Sequence, residues 1–178
     1  MASPDLPDDR RAAIDALERS TRAFLDLIDG VPDAAWLARP AGEEWSIAET
    51  VEHVVLADRA ILAALGRLLA APSEWDDGRV DDAAITAAMF AGAGPAPGIA
   101  PPLGRYATRA EGVAALRAAA DAIVAWASGR REDLRARCRP HRVFGTFDGV
   151  QWLLFAAAHQ DSHAAQVRGL RAHRELAA

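Results

Sequence analysis

Apolar residues recur every three or four positions along four long stretches of the chain, the spacing of helices that turn one face to a core. The first stretch runs from Arg10 to Asp29, with Ile14, Leu17, Phe24, Leu25 and Ile28 on its stripe. Gly30 and Val31-Pro32 end it, because glycine suits the position after a helix and proline cannot continue one. The second runs from Ser46 to about Ala71 on a stripe of Ile47, Val51, Val54, Ile61, Leu62, Leu65 and Leu69. It opens with a capping box, in which the Ser46 hydroxyl meets the Glu49 amide and Glu49 reaches back. The third, Thr108 to Ser128, opens with a second box, Thr108 and Glu111, and stops at Gly129. The fourth covers about Asp148 to Arg174, with Thr146 as the expected cap.

Between these stretches the pattern breaks. Residues 31–45 read as a loop with at most one weak helical turn and two tryptophans, Trp36 and Trp45. Residues 72–106 hold Pro72, Pro95, Pro97, Pro101 and Pro102 among several glycines. One short helix, about Asp81 to Phe90, interrupts them. A connection that long either crosses a bundle or covers a site. Residues 129–145 carry six arginines with Cys138, Pro140 and His141, and read as a solvated loop without a sustained strand period.

Four long helices in 178 residues predict one all-α domain spanning 1–178, a four-helix bundle. The short loops are expected to pair the first helix with the second, and the third with the fourth, as antiparallel neighbours. The long crossover then lets the second and third helices run parallel.

Composition narrows the chemistry. The formal net charge of −5 speaks against a nucleic-acid partner, which would call for a basic face. All 20 basic residues are arginine, so lysine chemistry is excluded. The single cysteine, Cys138, permits neither an internal disulfide nor a cysteine zinc cage. No basic segment followed by an apolar run opens the chain, and no uncharged apolar run approaches the roughly 20 residues of a membrane span. The expectation is a cytoplasmic protein with no membrane partner and a small-molecule substrate.

The fourth helix carries the candidate chemistry. His159 and His163 lie four apart, one turn above the other, on the side of Trp152, Phe155, Ala156, Val167 and Leu170. Two imidazoles directed from an apolar stripe into a core suit a metal, although core histidines satisfied by ordinary hydrogen bonds fit the same spacing. His53, bordering the stripe of the second helix, is the best candidate for a third ligand. Three protein ligands would leave open positions, as catalytic sites do. Neutral imidazole suits zinc, nickel, iron and copper. The segment is not the zinc-protease motif, because Gln160 stands where the general-base glutamate would be. Asp161 points about 200° away from His159, leaving no evident protein base. No side chain is assigned a catalytic role; a metal-bound water or thiolate would act.

Other residues have two readings each. Glu49, one turn before His53, caps its helix or orients the His53 ring. Gln166 contacts a ligand or bonds across helices. Trp45 and Trp152 wall the pocket or belong to the core. Asp58 falls in the middle of an apolar stripe and calls for a partner, an arginine from a neighbouring helix being the simplest. Cys138 and His141 contact an anionic substrate or face solvent, and His173 is expected to be exposed.

Trp45-Ser46-Ile47-Ala48-Glu49-Thr50-Val51-Glu52-His53 resembles the start of the second helix in the DinB/YfiT-like superfamily. Phe144-Gly145-Thr146, followed by Trp152, His159, His163 and Gln166, resembles its last helix. The resemblance implies an up-down-down-up four-helix bundle, often a homodimer, with a metal triad on His53, His159 and His163. It implies a divalent metal, zinc or nickel foremost, with waters completing its shell. It also implies, for some members, thiol S-transfer with a low-molecular-weight thiol such as mycothiol or bacillithiol. Arginines of 130–142 would then meet an anionic thiol cofactor. Two functional classes follow: a metal-dependent thiol transferase acting on small electrophiles, or a non-catalytic metal-binding stress-response or interaction protein.

Overall fold

The computed structural model describes residues 7–39, 45–70, 73, 80–90, 101–141 and 143–175. Helix α1 spans Asp8–Ile28, and a single turn, α2, spans Asp33–Trp36. Helix α3 spans Ile47–Ala70, α4 Asp82–Phe90, α5 Arg109–Ser128 and α6 Gly149–Glu175. A 3-10 turn at Leu134–Ala136 precedes two antiparallel strands, β1 (Cys138–His141) and β2 (Gly145–Asp148), with His141 opposite Gly145.

The helix ends follow local chemistry. Ser46 and Glu49 form the expected box at α3, with the Ser46 amide donating to Glu49 Oε2 at 2.9 Å and the Glu49 amide to Ser46 Oγ at 3.2 Å. Thr108 and Glu111 do the same at α5. Gly30 takes φ +72°, the left-handed conformation that lets the chain leave α1. At α6 the cap is Asp148, not Thr146. The Gln151 amide donates to Asp148 Oδ1 at 2.9 Å and the Asp148 amide to Gln151 Oε1 at 3.0 Å. Thr146 is drawn into β2 instead, where it pairs with Pro140 across the ladder and is buried. The 129–145 segment therefore holds a hairpin where a loop was expected. Gly145 turns it with φ +90°.

Long helices α1, α3, α5 and α6 form the bundle, but the neighbours differ from those expected. Helix α1 packs on α5 and α6, and α3 packs on α5 and α6. The pairs expected as antiparallel neighbours, α1 with α3 and α5 with α6, instead stand diagonally, while α3 packs on α5. Hydrogen bonds between the ends show the directions. Arg171 Nη1 near the end of α6 donates to Leu27 O near the end of α1, so these two run the same way. Arg109 at the start of α5 pairs with Asp29 just past α1. Arg10, near the start of α1, donates to the carbonyls of Arg130 and Glu132 beyond the end of α5. Helix α5 thus runs against α1.

Two apolar clusters fill the bundle. One gathers Leu17, Ile61, Leu65, Ile123, Phe147, Leu153 and Phe155; the other gathers Phe24, Ile28, Trp36, Val51, Val54, Leu116 and Val167. Along α6, residues 158–163 separate the members of the first cluster from Ala164, Val167 and Leu170 of the second. His159 and His163 lie in that interval. Within the 72–106 connection, α4 packs on α6. Most of its prolines and glycines lie outside the described residues. No helix among the described residues is long and apolar enough to cross a membrane.

Candidate metal centre

His53 comes from α3, and His159 and His163 from α6. One ring nitrogen from each lies within 4.8 Å of the others. The ring centroids stand 4.5 Å apart for His159 and His163, 4.8 Å for His53 and His163, and 5.2 Å for His53 and His159. His53 and His159 are buried and His163 is half-buried. Trp45 packs against His53, with ring centroids 4.8 Å apart.

All three imidazoles are neutral at ordinary pH. Burial, then the neighbouring His163, pushes His53 down to about 4. Burial, reinforced by His163, His53 and His141, holds His159 well below its ordinary value. Burial also lowers His163, against a raising effect from Gln166. Neutral rings keep lone pairs free, which is the state in which imidazole binds a metal.

The arrangement fits a divalent ion at two of three corners with particular clarity. A tetrahedral ion with bonds of 2.0–2.1 Å would hold its nitrogens about 3.3 Å apart. Nε2 of His159 and Nε2 of His163 are 3.2 Å apart. His163 Nδ1 lies 2.9 Å from Gln166 Oε1 one turn on. A proton on Nδ1 donates there and leaves Nε2 bare and directed toward His159. Gln166 is thus a partner of His163 within α6, not a cross-helix bond. His159 differs. Its Nδ1 is buried with no hydrogen-bond partner among the described residues, so it lacks the outer acceptor that ordinarily orients a metal-bound histidine.

The other candidates sort by geometry. Glu49 is occupied by capping: it accepts from the Ser46 amide and hydroxyl and pairs with Arg39. Burial would raise its carboxyl, but the Ser46 amide and the Arg39 guanidinium hold it below its ordinary value. Trp152 is buried among His141, Phe147 and Phe155, with ring centroids 5.2, 5.4 and 6.1 Å away, and its ring touches none of the triad. Among the described residues no arginine meets Asp58: its hydrogen bond comes from Gln160 Nε2 at 2.8 Å. Arg135, central to the arginine-rich segment, is engaged by Asp9, Asp82 and Asp148. The side chain of His173 lies outside the described residues.

Sequence reasoning set His141 in a solvated loop, against an anionic substrate or solvent, and did not foresee its place near the centre. The hairpin half-buries it against an aromatic group, with centroids 5.0 Å from Phe144, 5.0 Å from Phe147 and 4.8 Å from Phe155. Phe155 in turn stands 5.9 Å from His159. The Nδ1 of His141 faces the amides of Val143 and Phe144 at 3.2 and 3.3 Å, which leaves any ring proton on Nε2. Burial pushes it down to about 4. Cys138 is buried, its amide donating to Ser73 Oγ at 2.9 Å.

No curated protein and no solved structure matches the chain. The helical bundle, the histidines converging from α3 and α6, and the sequence itself agree on one lineage. Residues 16–167 match the DinB superfamily, and the chain belongs to it.

Proposed function

We propose that the chain is a divalent-metal-dependent enzyme that transfers a low-molecular-weight thiol to small electrophiles. His53, His159 and His163 would hold zinc or nickel. The observation supporting this most strongly is the convergence of three neutral, largely buried imidazoles, two of them at the separation a tetrahedral ion needs. A metal bound there would supply Lewis acidity and lower the pKa of a coordinated thiol or water.

The chain's own residues supply placement. Gln166, 2.9 Å from the Nδ1 of His163, holds that ring in place. Trp45 shields His53. Gln160, next to His159, is held by Asp58 and Thr21 and takes no part as a base. The donor set is all nitrogen and uncharged, so a bound divalent ion keeps its full charge and favours an anionic partner such as a thiolate. Arg135 is not available to such a partner. Mycothiol or bacillithiol fits as the thiol, acting in a homodimeric, cytoplasmic enzyme.

One observation favours a second reading, a non-catalytic metal-binding protein. Only the three histidines gather at the centre, with no Asp or Glu in the group among the described residues. The two readings separate in a turnover screen of the metal-loaded protein with mycothiol, bacillithiol and glutathione against monochlorobimane. Metal-dependent bimane conjugation, lost in His159→Ala, supports the transferase. Bound metal without conjugation by any thiol leaves the non-catalytic reading.

A further inference from the structure

Thr21 of α1, Gln160 of α6 and Asp58 of α3 meet in the core. Asp58 and Gln160 are fully buried and Thr21 nearly so. Thr21 Oγ1 lies 2.8 Å from Leu17 O and 2.8 Å from the Gln160 side-chain amide; the other end of that amide is 2.8 Å from Asp58 Oδ2. Asp58 Oδ1 has no partner among the described residues.

Counting hydrogens decides how this chain is oriented. With the amide oxygen toward Thr21, a single hydroxyl hydrogen must serve two acceptors, Leu17 O and Gln160 Oε1. Asp58 would then be a buried carboxylate with one amide donor and one bare oxygen, which is a costly arrangement. The two ends of a glutamine amide are nearly isosteric, so the reverse fits the same space. The Gln160 NH2 then donates to Thr21 Oγ1, and Thr21 donates to Leu17 O. Gln160 Oε1 faces Asp58 Oδ2, and that contact needs a proton on the acid. Every short contact in this orientation has one hydrogen. The bare Oδ1 becomes the carbonyl oxygen of a neutral acid, whose burial without a partner costs less than that of a carboxylate oxygen.

Among the described residues no cation offsets a negative charge at Asp58, and its hydrogen-bond partner is the neutral Gln160. On α1, the buried Arg10 is committed to the carbonyls of Arg130 and Glu132. On α5, Glu111, Arg117 and Asp121 are exposed. On α6, the neighbours of Gln160 are the neutral His159 and the half-buried Asp161. On α3 itself, Glu52 is taken by the amides of residues 103–105 and Arg59 is exposed. Burial correspondingly pushes the Asp58 carboxyl up to about 7.

We propose that Asp58 is a protonated carboxylic acid in the folded protein and donates to the Gln160 carbonyl, and that this relay across three helices positions His159. Gln160 adjoins His159 on α6, and Asp58 lies on the same helix as His53, so the Asp58–Gln160 bond locks the rotation of one metal-bearing helix against the other. The protonation stands on the hydrogen bonds alone. The positioning rests on the reading of the triad as a metal centre.

Two readouts test the two parts. Infrared difference spectra between the wild-type protein and Asp58→Asn, recorded about one pH unit below neutrality, are expected to show the carbonyl band of one protonated carboxyl. A carboxylate signal in its place overturns the protonation. The Asp58→Asn side chain supplies an N–H donor to Gln160 Oε1 in place of the acid O–H, whereas Asp58→Leu keeps bulk without a donor. Asp58→Asn is expected to bind Co(II) within about threefold of wild type with an unchanged ligand-field spectrum, and Asp58→Leu about tenfold more weakly. Thr21→Val removes the acceptor for the Gln160 NH2 while keeping shape. It is expected to weaken Co(II) binding in the same direction even if Asp58→Leu does not fold. Equal weakening by Asp58→Asn and Asp58→Leu, or full affinity in both Asp58→Leu and Thr21→Val, overturns the positioning. Absence of Co(II) binding to the wild type overturns it together with the metal reading, while the infrared band still decides the protonation.

Discussion

Glu52 offers the sharpest test of how the long crossover is fastened. Its side chain is 1% exposed and accepts three consecutive backbone amides: Leu103 at 3.0 Å, Gly104 at 2.8 Å and Arg105 at 2.9 Å. Arg105 Nη1 adds an ion pair at 3.3 Å. Three successive amides converge on one carboxylate because Gly104 takes φ +75°, a conformation that other residues adopt only with strain. Glu52→Gln keeps shape and one acceptor oxygen. That oxygen can stay with Gly104 and Arg105, but the new NH2 then opposes the Leu103 amide, donor against donor. Bonds to a charged group contribute about 1.5–3 kcal/mol each, and neutral ones about 1. Halving two bonds and orphaning one donor costs about 3 kcal/mol, with local detachment of 103–105 as the alternative response. For a chain of this size the midpoint of thermal unfolding would fall by roughly 6–12 °C. Urea denaturation gives the global cost, and hydrogen exchange at Leu103, Gly104 and Arg105 gives the local one. Exchange at those three amides should accelerate more than in the centre of α3. Stability within about 0.5 kcal/mol of wild type and unchanged protection at the three amides would refute the reasoning.

Further outcomes follow from other contacts. A Cβ at Gly112 would lie 2.5 Å from Trp36 Cζ2 and 2.7 Å from Cη2, and Trp36 is buried with its Nε1 donating to Tyr106 O at 3.0 Å. Gly112→Ala should therefore destabilise by about 1–2 kcal/mol in chemical denaturation, overpacking outweighing the helix propensity it gains. Gln166→Ala frees the Nδ1 of His163 and should weaken Zn(II) binding at least about tenfold by competition titration, with little change in stability. Burial lowers His141 to about 4. The unfolded chain therefore takes up its proton first as pH falls. Stability from this group is full above about pH 6.5 and is lost as pH falls through about 4. His141→Phe should make the metal-free protein's stability profile less steep across that window, where His53, His159 and His163, also lowered by burial, keep a slope of the same sign, while Asp58, raised to about 7, contributes the opposite slope in both proteins.

Most of the bundle is written in local signals. The Ser46–Glu49 and Thr108–Glu111 boxes, Gly30 and Gly129 set helix ends through contacts within a few residues, and the structure keeps them. His159 and His163 were legible for the same reason, since helical spacing alone puts them together. What the sequence concealed was non-local. The pairing of α1 with α6 depends on how the whole bundle closes, not on loop length. The cap of α6 moved from Thr146 to Asp148 because the hairpin draws Thr146 into a ladder. His141 reads as a loop residue until β1 and β2 pair and fold it against Phe155. Asp58 called for an arginine by charge, but a glutamine meets it, which is sufficient if the acid keeps its proton.

The central claim is that three histidines form a metal centre, and metal content tests it most directly. The purified protein, loaded with Zn(II) or Ni(II) and freed of excess, should retain one divalent ion per chain by elemental analysis. His53→Ala, His159→Ala and His163→Ala should each lose it while staying folded. Saturation at about 1,000 times the dissociation constant should raise wild-type stability by about 4 kcal/mol. No ion on the wild-type protein, or one ion per chain still retained by all three variants, would contradict the account.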